Sequence, residues 1–401
     1  MPSGPASIPS AVTEQHRAAL SEFRAFARHE IAPRAAAHDR EQRIAPALLR
    51  LMGQRGYLAP FVPSRYGGAG WDMITCALLH EQVGRVCNAT RSVLTAHGML
   101  AQVILRWGSH GQRGAWLPEL TSGAAIGGFA LTEPDSGSDG VPVETIATHD
   151  GEGYRLTGRK SWITAGQIAD VFLVFACAEQ GVSALLVRRD TPGLTVEPVQ
   201  DLLGCRGSML GNLEFDGCAV GPDAVVGSPG AAHPLLATFA LTYGRLSVAC
   251  GAVGILQACA DASVHYARRR QQAGTALLDH QLIRRMLADM ITHVEAARLL
   301  CLQAALLMQQ ADPAAPIAAC VAKHFAATSA VDAARDAVQI HGANGCTNSY
   351  PAERYWRDAK VLEIIEGSNE IQQMIIGREA YTEHGLAAGR LPDPGFRVQA
   401  R

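Results

Sequence analysis

The sequence is short of aromatic residues, of paired cysteines and of any excess of charge. Phe, Trp and Tyr together make up 6% of its 401 residues. Lys and Arg number 35 against 37 Asp and Glu, a net charge of −2. That balance argues against nucleic acid as the main partner, because holding phosphates needs a basic face. The 10 cysteines contain no C-x-x-C pair, and several fall inside apolar patterns. A zinc site and a secreted disulfide framework are both disfavoured. The longest dense apolar stretch, Val171 to Ala178, is far too short to span a bilayer. Met1 to Val12 shows neither the basic start nor the apolar run of a signal peptide. No G-x-G-x-x-G follows a strand pattern, which argues against a nicotinamide-binding Rossmann domain. The expectation is a reduced, soluble, cytoplasmic protein with no nucleic-acid or membrane partner.

What is plentiful is small and apolar. Apolar residues make up 48% and charged residues 18%, enough to bury a large core. The Ala and Gly surplus predicts closely packed helices. Up to about Ser122 the period is helical: Leu20, Phe23, Phe26, Ala27 and Ile31 mark one helix over Ala11 to Ala37, and similar patterns follow to Leu120. From Gly127 to about Gly227 the period falls to two, as in Tyr154 to Trp162, with turn signals between the runs. This predicts an antiparallel β barrel or sandwich. From Pro234 the helical period returns in four long stretches, the last over Ala352 to Tyr381, which predicts a four-helix bundle. The fold class is therefore α+β, with units over 1–125, 126–233 and 234–385 and a frayed tail over 386–401.

Five segments carry residue types suited to chemistry. Gly128-Phe-Ala-Leu-Thr-Glu-Pro-Asp-Ser-Gly-Ser-Asp139 offers hydroxyls and free N–H groups for a phosphate; a capped turn reads equally well. In Lys160-Ser-Trp-Ile-Thr164 a flat indole precedes a hydroxyl on the same strand face; a core tryptophan is the plain alternative. Arg268-Arg-Arg270 ends a helix, suited either to the helix dipole or to a pyrophosphate. Gln339-Ile-His-Gly-Ala-Asn-Gly345 closes another, with His341 read as structural. In Ile364-Ile-Glu-Gly-Ser-Asn369, Glu366 would be a base if buried; a charged residue at a helix N-terminus is the plain alternative.

Taken together and in order, these segments resemble the acyl-CoA dehydrogenase family of flavoproteins, from about Glu14 to Tyr381. Pro63-Ser-Arg-Tyr-Gly-Gly-Ala-Gly70 and Arg357-Asp-Ala-Lys360 add to the match. The resemblance implies FAD as cofactor. Phe129, Leu131 and Thr132 would lie along the flavin, Gly137 and Ser138 at its pyrophosphate, and Trp162 and Thr164 beside N5. Arg270 and Gln281 would reach the FAD of a neighbouring subunit, which implies a homodimer or homotetramer. Gln339, Gly342, Ala343, Ser368 and Glu370 would make adenosine-side contacts. Glu366 would be the catalytic base, removing the proton α to a thioester carbonyl while the β-hydrogen leaves as hydride to flavin N5. Ala273, Ala343 and Ile365 depart from the usual pattern.

One branch is more similar than the rest. Val86 to Thr95, Tyr243-Gly-Arg-Leu-Ser-Val248 and Lys360 to Gly367 resemble dehydrogenases that make hydroxymalonyl- or methoxymalonyl-type polyketide extender units on acyl carrier proteins. This implies a short polar acyl thioester, with Arg91, Thr95, His97, Tyr243 and Arg245 as candidate pocket residues. An electron-transferring flavoprotein is the candidate electron acceptor. The alternatives are a catabolic short-chain acyl-CoA dehydrogenase, a flavin monooxygenase or oxidase, and a flavin-free scaffold.

Overall fold

The computed structural model describes residues 12–138 and 143–383, so the expected tail over 386–401 lies outside the described residues. The N-terminal helices are α1 (Glu14–Phe26), α2 (Ala32–Glu41), α3 (Pro46–Gln54), α4 (Met73–Val86), α5 (Asn88–Trp107) and α6 (His110–Ser122). The single helix expected over Ala11 to Ala37 is interrupted by a π turn at Ala27–Ile31. Pro33, in the first turn of α2, supplies the reason: it has no N–H for the preceding turn, and its ring crowds the carbonyl four residues back. Asp72 joins two elements. It caps α4 through the Thr75 N–H at 2.7 Å and meets His16 of α1 at 2.8 Å.

The β unit contains β1 (Gly127–Ala130), β2 (Ile146–His149), β3 (Tyr154–Ile163), β4 (Val171–Ala178), β5 (Gly181–Arg188), β6 (Leu194–Pro198), β7 (Gly211–Val220) and β8 (Val225–Val226). They form one sheet, in the order β6-β7-β3-β2-β4-β5-β8, with β1 also on β4. The expectation of a wholly antiparallel unit is corrected in one place. β1 runs parallel to β4 from Gly127↔Val171 to Ala130↔Val174, and β2 meets β4 in parallel at Ile146↔Cys177. β1 and β2 are thus two halves of one interrupted strand along a single edge of β4. The chain leaves the sheet after Ala130 and rejoins it at Thr145, whose carbonyl accepts the Cys177 N–H at 2.7 Å. The hydroxyl- and glycine-bearing segment is that excursion.

The C-terminal helices are α7 (Thr238–Arg269), α8 (Gln281–Gln309), α9 (Ala315–His341), α10 (Ala352–Ile364) and α11 (Asn369–Glu383), with a small hairpin between α7 and α8. The helix expected over Ala352 to Tyr381 is two helices. Glu366 and Gly367 both take left-handed φ values, 56° and 89°, and the Ser368 hydroxyl accepts the Ile371 N–H at the start of α11. Small residues bring α4 and α7 together, since a Cβ on Gly84 would overlap the Gly251 backbone. Two helical segments, Leu235–Arg269 and Gln281–Gln309, are long and apolar enough to cross a bilayer by composition. The apolar 18-residue window of the first is 89% buried within this chain, which accounts for its apolar character. All ten cysteines are free thiols.

Candidate active site

The excursion from the sheet is held by a buried ion pair. Lys160, on β3, is 0% exposed. Its Nζ donates to Glu133 Oε1 at 2.7 Å and to the Leu131 carbonyl at 3.1 Å. Glu133 also accepts from the Thr145 N–H at 2.8 Å, from the Thr145 hydroxyl at 2.6 Å and from the Glu144 N–H. Burial pushes the Lys160 ammonium down to about 8 against the pull of Glu133. Burial would raise the Glu133 carboxyl, but its hydrogen bonds with Lys160 and Thr145 hold it below the usual range. A second tie, Ser161 N–H to the Thr132 carbonyl at 2.9 Å, fastens the loop beside the end of β3.

There the β3–β7 register slips between Lys160 and Ile163, and Trp162 takes φ 61°. Such a bulge re-aims a side chain. Ser161 and Ile163 are buried on either side, while the Trp162 indole stands 59% exposed. Leu131, Thr132, Thr164 and Phe129 are half-buried nearby in the chain path, and Gly137 and Ser138 are exposed. Phe129 rests on Phe175 with ring centroids 5.1 Å apart. A large bare indole beside hydroxyls and an open glycine turn suits a planar, largely apolar ring with hydrogen-bonding edges and an attached phosphate.

The second group is the corner between α10 and α11. The Glu366 carboxylate lies against Gly244 of α7, where any Cβ would overlap its Oε2. Its backbone is held from three sides: Gln372 Nε2 donates to the Glu366 and Gly367 carbonyls at 3.2 and 2.9 Å, Arg245 Nε approaches the Glu366 carbonyl at 3.4 Å, and Lys323 Nζ donates to the Gly367 carbonyl at 2.9 Å. Burial raises the Glu366 carboxyl above its ordinary value, opposed by the positive charges of Arg91, Arg245 and Lys323. A carboxylate whose hold on a proton is raised in this way suits a general base.

Arg91 and Thr95, on α5, and Tyr243, on α7, join one buried polar chain. Arg91 is 0% exposed, and its guanidinium bonds only to neutral partners among the described residues. These are Asn88 at 3.0 Å, Thr95 at 2.9 Å, Ser92 at 2.8 Å and Ser247 at 3.5 Å. From Ser247 the chain runs to His80 Nδ1 at 2.9 Å, and from His80 Nε2 to the Tyr243 hydroxyl at 2.9 Å. Burial pushes His80 down to about 3, so it is neutral. His97 does not join this chain. It approaches the Leu120 carbonyl at 3.1 Å and accepts the Gly127 N–H at 3.1 Å, tying α5 to the end of α6 and the start of β1.

The remaining candidates gather elsewhere. Gln339, Gly342 and Ala343 are exposed at the end of α9, and Arg270 is exposed at the end of α7. The Tyr266–His341 stack, at 4.4 Å, brings those two helix ends together. Gln281, also exposed, opens α8 across the hairpin. Ser368 is half-buried in its capping position. Glu370 is exposed, and its carboxyl is held low by its own backbone N–H and the Ser368 hydroxyl.

The comparisons with known proteins follow this division. Residues 13–124 match the acyl-CoA dehydrogenase N-terminal domain, 128–218 the middle domain and 235–381 the C-terminal domain. The chain belongs to the acyl-CoA dehydrogenase family. It is an FAD-dependent oxidoreductase acting on acyl thioesters. It is 39% identical to human mitochondrial short-chain specific acyl-CoA dehydrogenase over 369 residues, 90% of this chain and 89% of that one. The butyryl-CoA dehydrogenase structure from Megasphaera elsdenii aligns with a TM-score of 0.89 at 31% identity, covering 95% of this chain and all of that one (100%). The structure described as FkbI, for biosynthesis of the methoxymalonyl extender unit of the Fk520 polyketide, aligns with a TM-score of 0.83 at 35% identity. It covers 90% of this chain and 99% of that one.

Several residues that the fold brings to these clusters escape motif reading. Gly244 and Lys160 stand inside quoted motifs without a role of their own. Ser247 likewise lies in the Tyr243 to Val248 motif without a role of its own, and His80, Lys323 and Gln372 stand outside every quoted motif. Lys323 carries the one legible signal: it is the only lysine in the alanine-rich helix α9.

Proposed function

We propose that this acyl-CoA dehydrogenase oxidises a short, polar acyl thioester carried on an acyl carrier protein, in the making of a polyketide extender unit or another specialised metabolite. In this reading Glu366 is the catalytic base. It accepts the proton α to the thioester carbonyl on its carboxylate, and the corner that holds it fixes where that carboxylate stands. FAD, when bound, supplies the acceptor for the β-hydrogen as hydride. Phe129, Leu131, Thr132, Gly137, Ser138, Trp162 and Thr164 would hold it in this chain, with Ser368 and Glu370 beside the base corner. Arg270, Gln281, Gln339, Gly342 and Ala343 sit apart at exposed helix ends, which supports their serving the FAD of a second copy in a homodimer or homotetramer. A cytoplasmic location belongs to the same reading, as does an electron-transferring flavoprotein as the acceptor.

The observation that carries the substrate class is the polar chain from Arg91 through Thr95, Ser247 and His80 to Tyr243, which adjoins Gly244 and so the Glu366 carboxylate. A saturated aliphatic chain has no use for a buried guanidinium with neutral partners, whose desolvation is costly; an acyl group bearing a hydroxyl or carboxylate does. Tyr243 packs on Phe61 at 5.4 Å and leaves no room for a Cβ on Gly98, which favours a short chain. The likeness to human short-chain specific acyl-CoA dehydrogenase favours a second reading, a short-chain acyl-CoA substrate. Intact-mass analysis of hydroxyacyl carrier-protein thioesters and of butyryl-CoA, before and after incubation with the flavin-loaded enzyme, separates the two. Loss of two hydrogens from the carrier thioester in preference is expected. Equal or faster turnover of butyryl-CoA overturns the carrier reading. Reduced flavin and oxygen yielding an oxygenated product instead would indicate a monooxygenase.

A further inference from the structure

Lys323 is buried with no carboxylate bonded to it among the described residues. It is 0% exposed on α9, and its Nζ donates to the Glu363 carbonyl at 2.9 Å, the Gly367 carbonyl at 2.9 Å and Asn369 Oδ1 at 3.1 Å. Three N–H groups meet three acceptors, so the ammonium is saturated. The acceptors have a meaning in the chain. Glu363 lies in the last turn of α10, where carbonyls lack helical partners, and Asn369 opens α11. Glu366 stands between them, in a left-handed conformation that is strained for a non-glycine residue. Such strain persists only where the surroundings over-determine it. Lys323 is 40 to 46 residues away in sequence from everything it touches here, so it is a tertiary strut from a different helix.

We propose that Lys323 is a positioning residue for proton abstraction: it locks the Glu363–Asn369 corner so that the Glu366 carboxylate stands against Gly244, and its charge faces that carboxylate. This rests on the assignment of Glu366 as the base. The charged groups facing Glu366 are Arg91 from α5, Arg245 from α7 and Lys323 from α9. Those facing Lys323 are Glu366, Glu363, Arg245 and Glu370. Arg91 already bonds four neutral side chains. Arg245 meets the corner at the Glu366 carbonyl, at 3.4 Å, and also bonds Cys320 of α9. Lys323 alone grips the corner from both sides of the base.

The test uses the flavin-loaded enzyme with two probes, butyryl-CoA and a 3-hydroxypropionyl carrier-protein thioester, and follows exchange of the α-proton in deuterated water as well as turnover. K323M removes strut and charge; K323Q keeps hydrogen-bond donors and loses the charge. K323M is expected to lose about tenfold or more in kcat and in α-exchange, since small misplacements of a catalytic group are costly, with KM little changed. Its acid limb in kcat/KM is expected to move to higher pH, because a positive charge facing the carboxylate is gone. K323Q is expected to recover part of kcat while keeping the displaced limb. If K323M does not fold, K323Q decides on the limb alone. Wild-type rates with an unmoved limb in the folded variant overturn the proposal, as does a loss matched only by lower FAD content. Should wild-type protein exchange neither probe, or Glu366→Gln exchange both as wild type does, the base assignment falls and this proposal with it.

Discussion

Two buried lysines support the two halves of this site, and they do so differently. Lys160 and Lys323 are two of only three lysines in the chain. Both are fully buried, and burial pushes both down to about 8. Lys160 meets a carboxylate directly, at 2.7 Å. Its charge is matched by Glu133, and the pair serves to pin the loop that leaves the sheet at Ala130. Lys323 meets two backbone carbonyls and an amide oxygen. Its charge is unmatched by any bonded carboxylate, so its field extends to Glu366. The same residue type at the same burial is thus a clasp on the proposed cofactor side and a clasp with a reach on the proposed base side.

Breaking each side should separate the two. On the base side the largest effect is expected from Glu366→Gln, with turnover of any thioester substrate falling by about 10²- to 10⁴-fold, the range typical of a lost general base. The stability of that variant should move the other way. The folded Glu366 value lies above the unfolded one, so its stabilising contribution is present at low pH and is lost as pH rises through the folded value. Glu366→Gln should therefore melt above wild type at pH 8, and the difference should vanish below about pH 4, near the unfolded value. Thermal melts across that range read it.

On the cofactor side, Glu133→Ala leaves Lys160 buried and unpaired. It should cost about 3–5 kcal/mol of stability in denaturant titration and release FAD, with partial recovery on adding Lys160→Met. Gly244→Ala comes next: its Cβ would meet the Glu366 carboxylate first, with Met99 Sδ at 3.1 Å. A fall of about tenfold to a hundredfold in kcat is expected, with the flavin spectrum unchanged. Trp162→Ala should have the smallest effect on stability of the flavin-free protein, within about 0.5 kcal/mol, because the indole is already 59% exposed. It should still weaken FAD retention in a dilution assay. A large loss of stability instead would make Trp162 a packing residue.

Much of this site could be read from the chain alone because its signals are local. Trp162 with Thr164, the Thr132 to Ser138 hydroxyls and Glu366 before Gly367 each sit in one short segment, and the changes in period mark where helices give way to strands. The expected helix over Ala352 to Tyr381 shows the limit. Its apolar pattern continues through the break, and the left-handed Glu366 is held by Lys323, Gln372 and Arg245, of which two come from other helices. The parallel pairing of β1 and β2 with β4 was hidden for a similar reason. Period two reports a strand but not the direction of its neighbour, and an interrupted strand looks like two.

By itself the sequence determined the α+β composition, the order of helical and β segments and the residue types able to meet a flavin and a thioester, because these depend on local periodicity and side-chain chemistry. Tertiary structure decided which of those residues act together. It placed Gly244 under the Glu366 carboxylate, set the Arg91-to-Tyr243 polar chain beside it and sent His97 to a seam between α5, α6 and β1. Burial is what gives these placements their force: a lysine, an arginine and a glutamate that would be ordinary on a surface become costly, and so specific, when water is excluded.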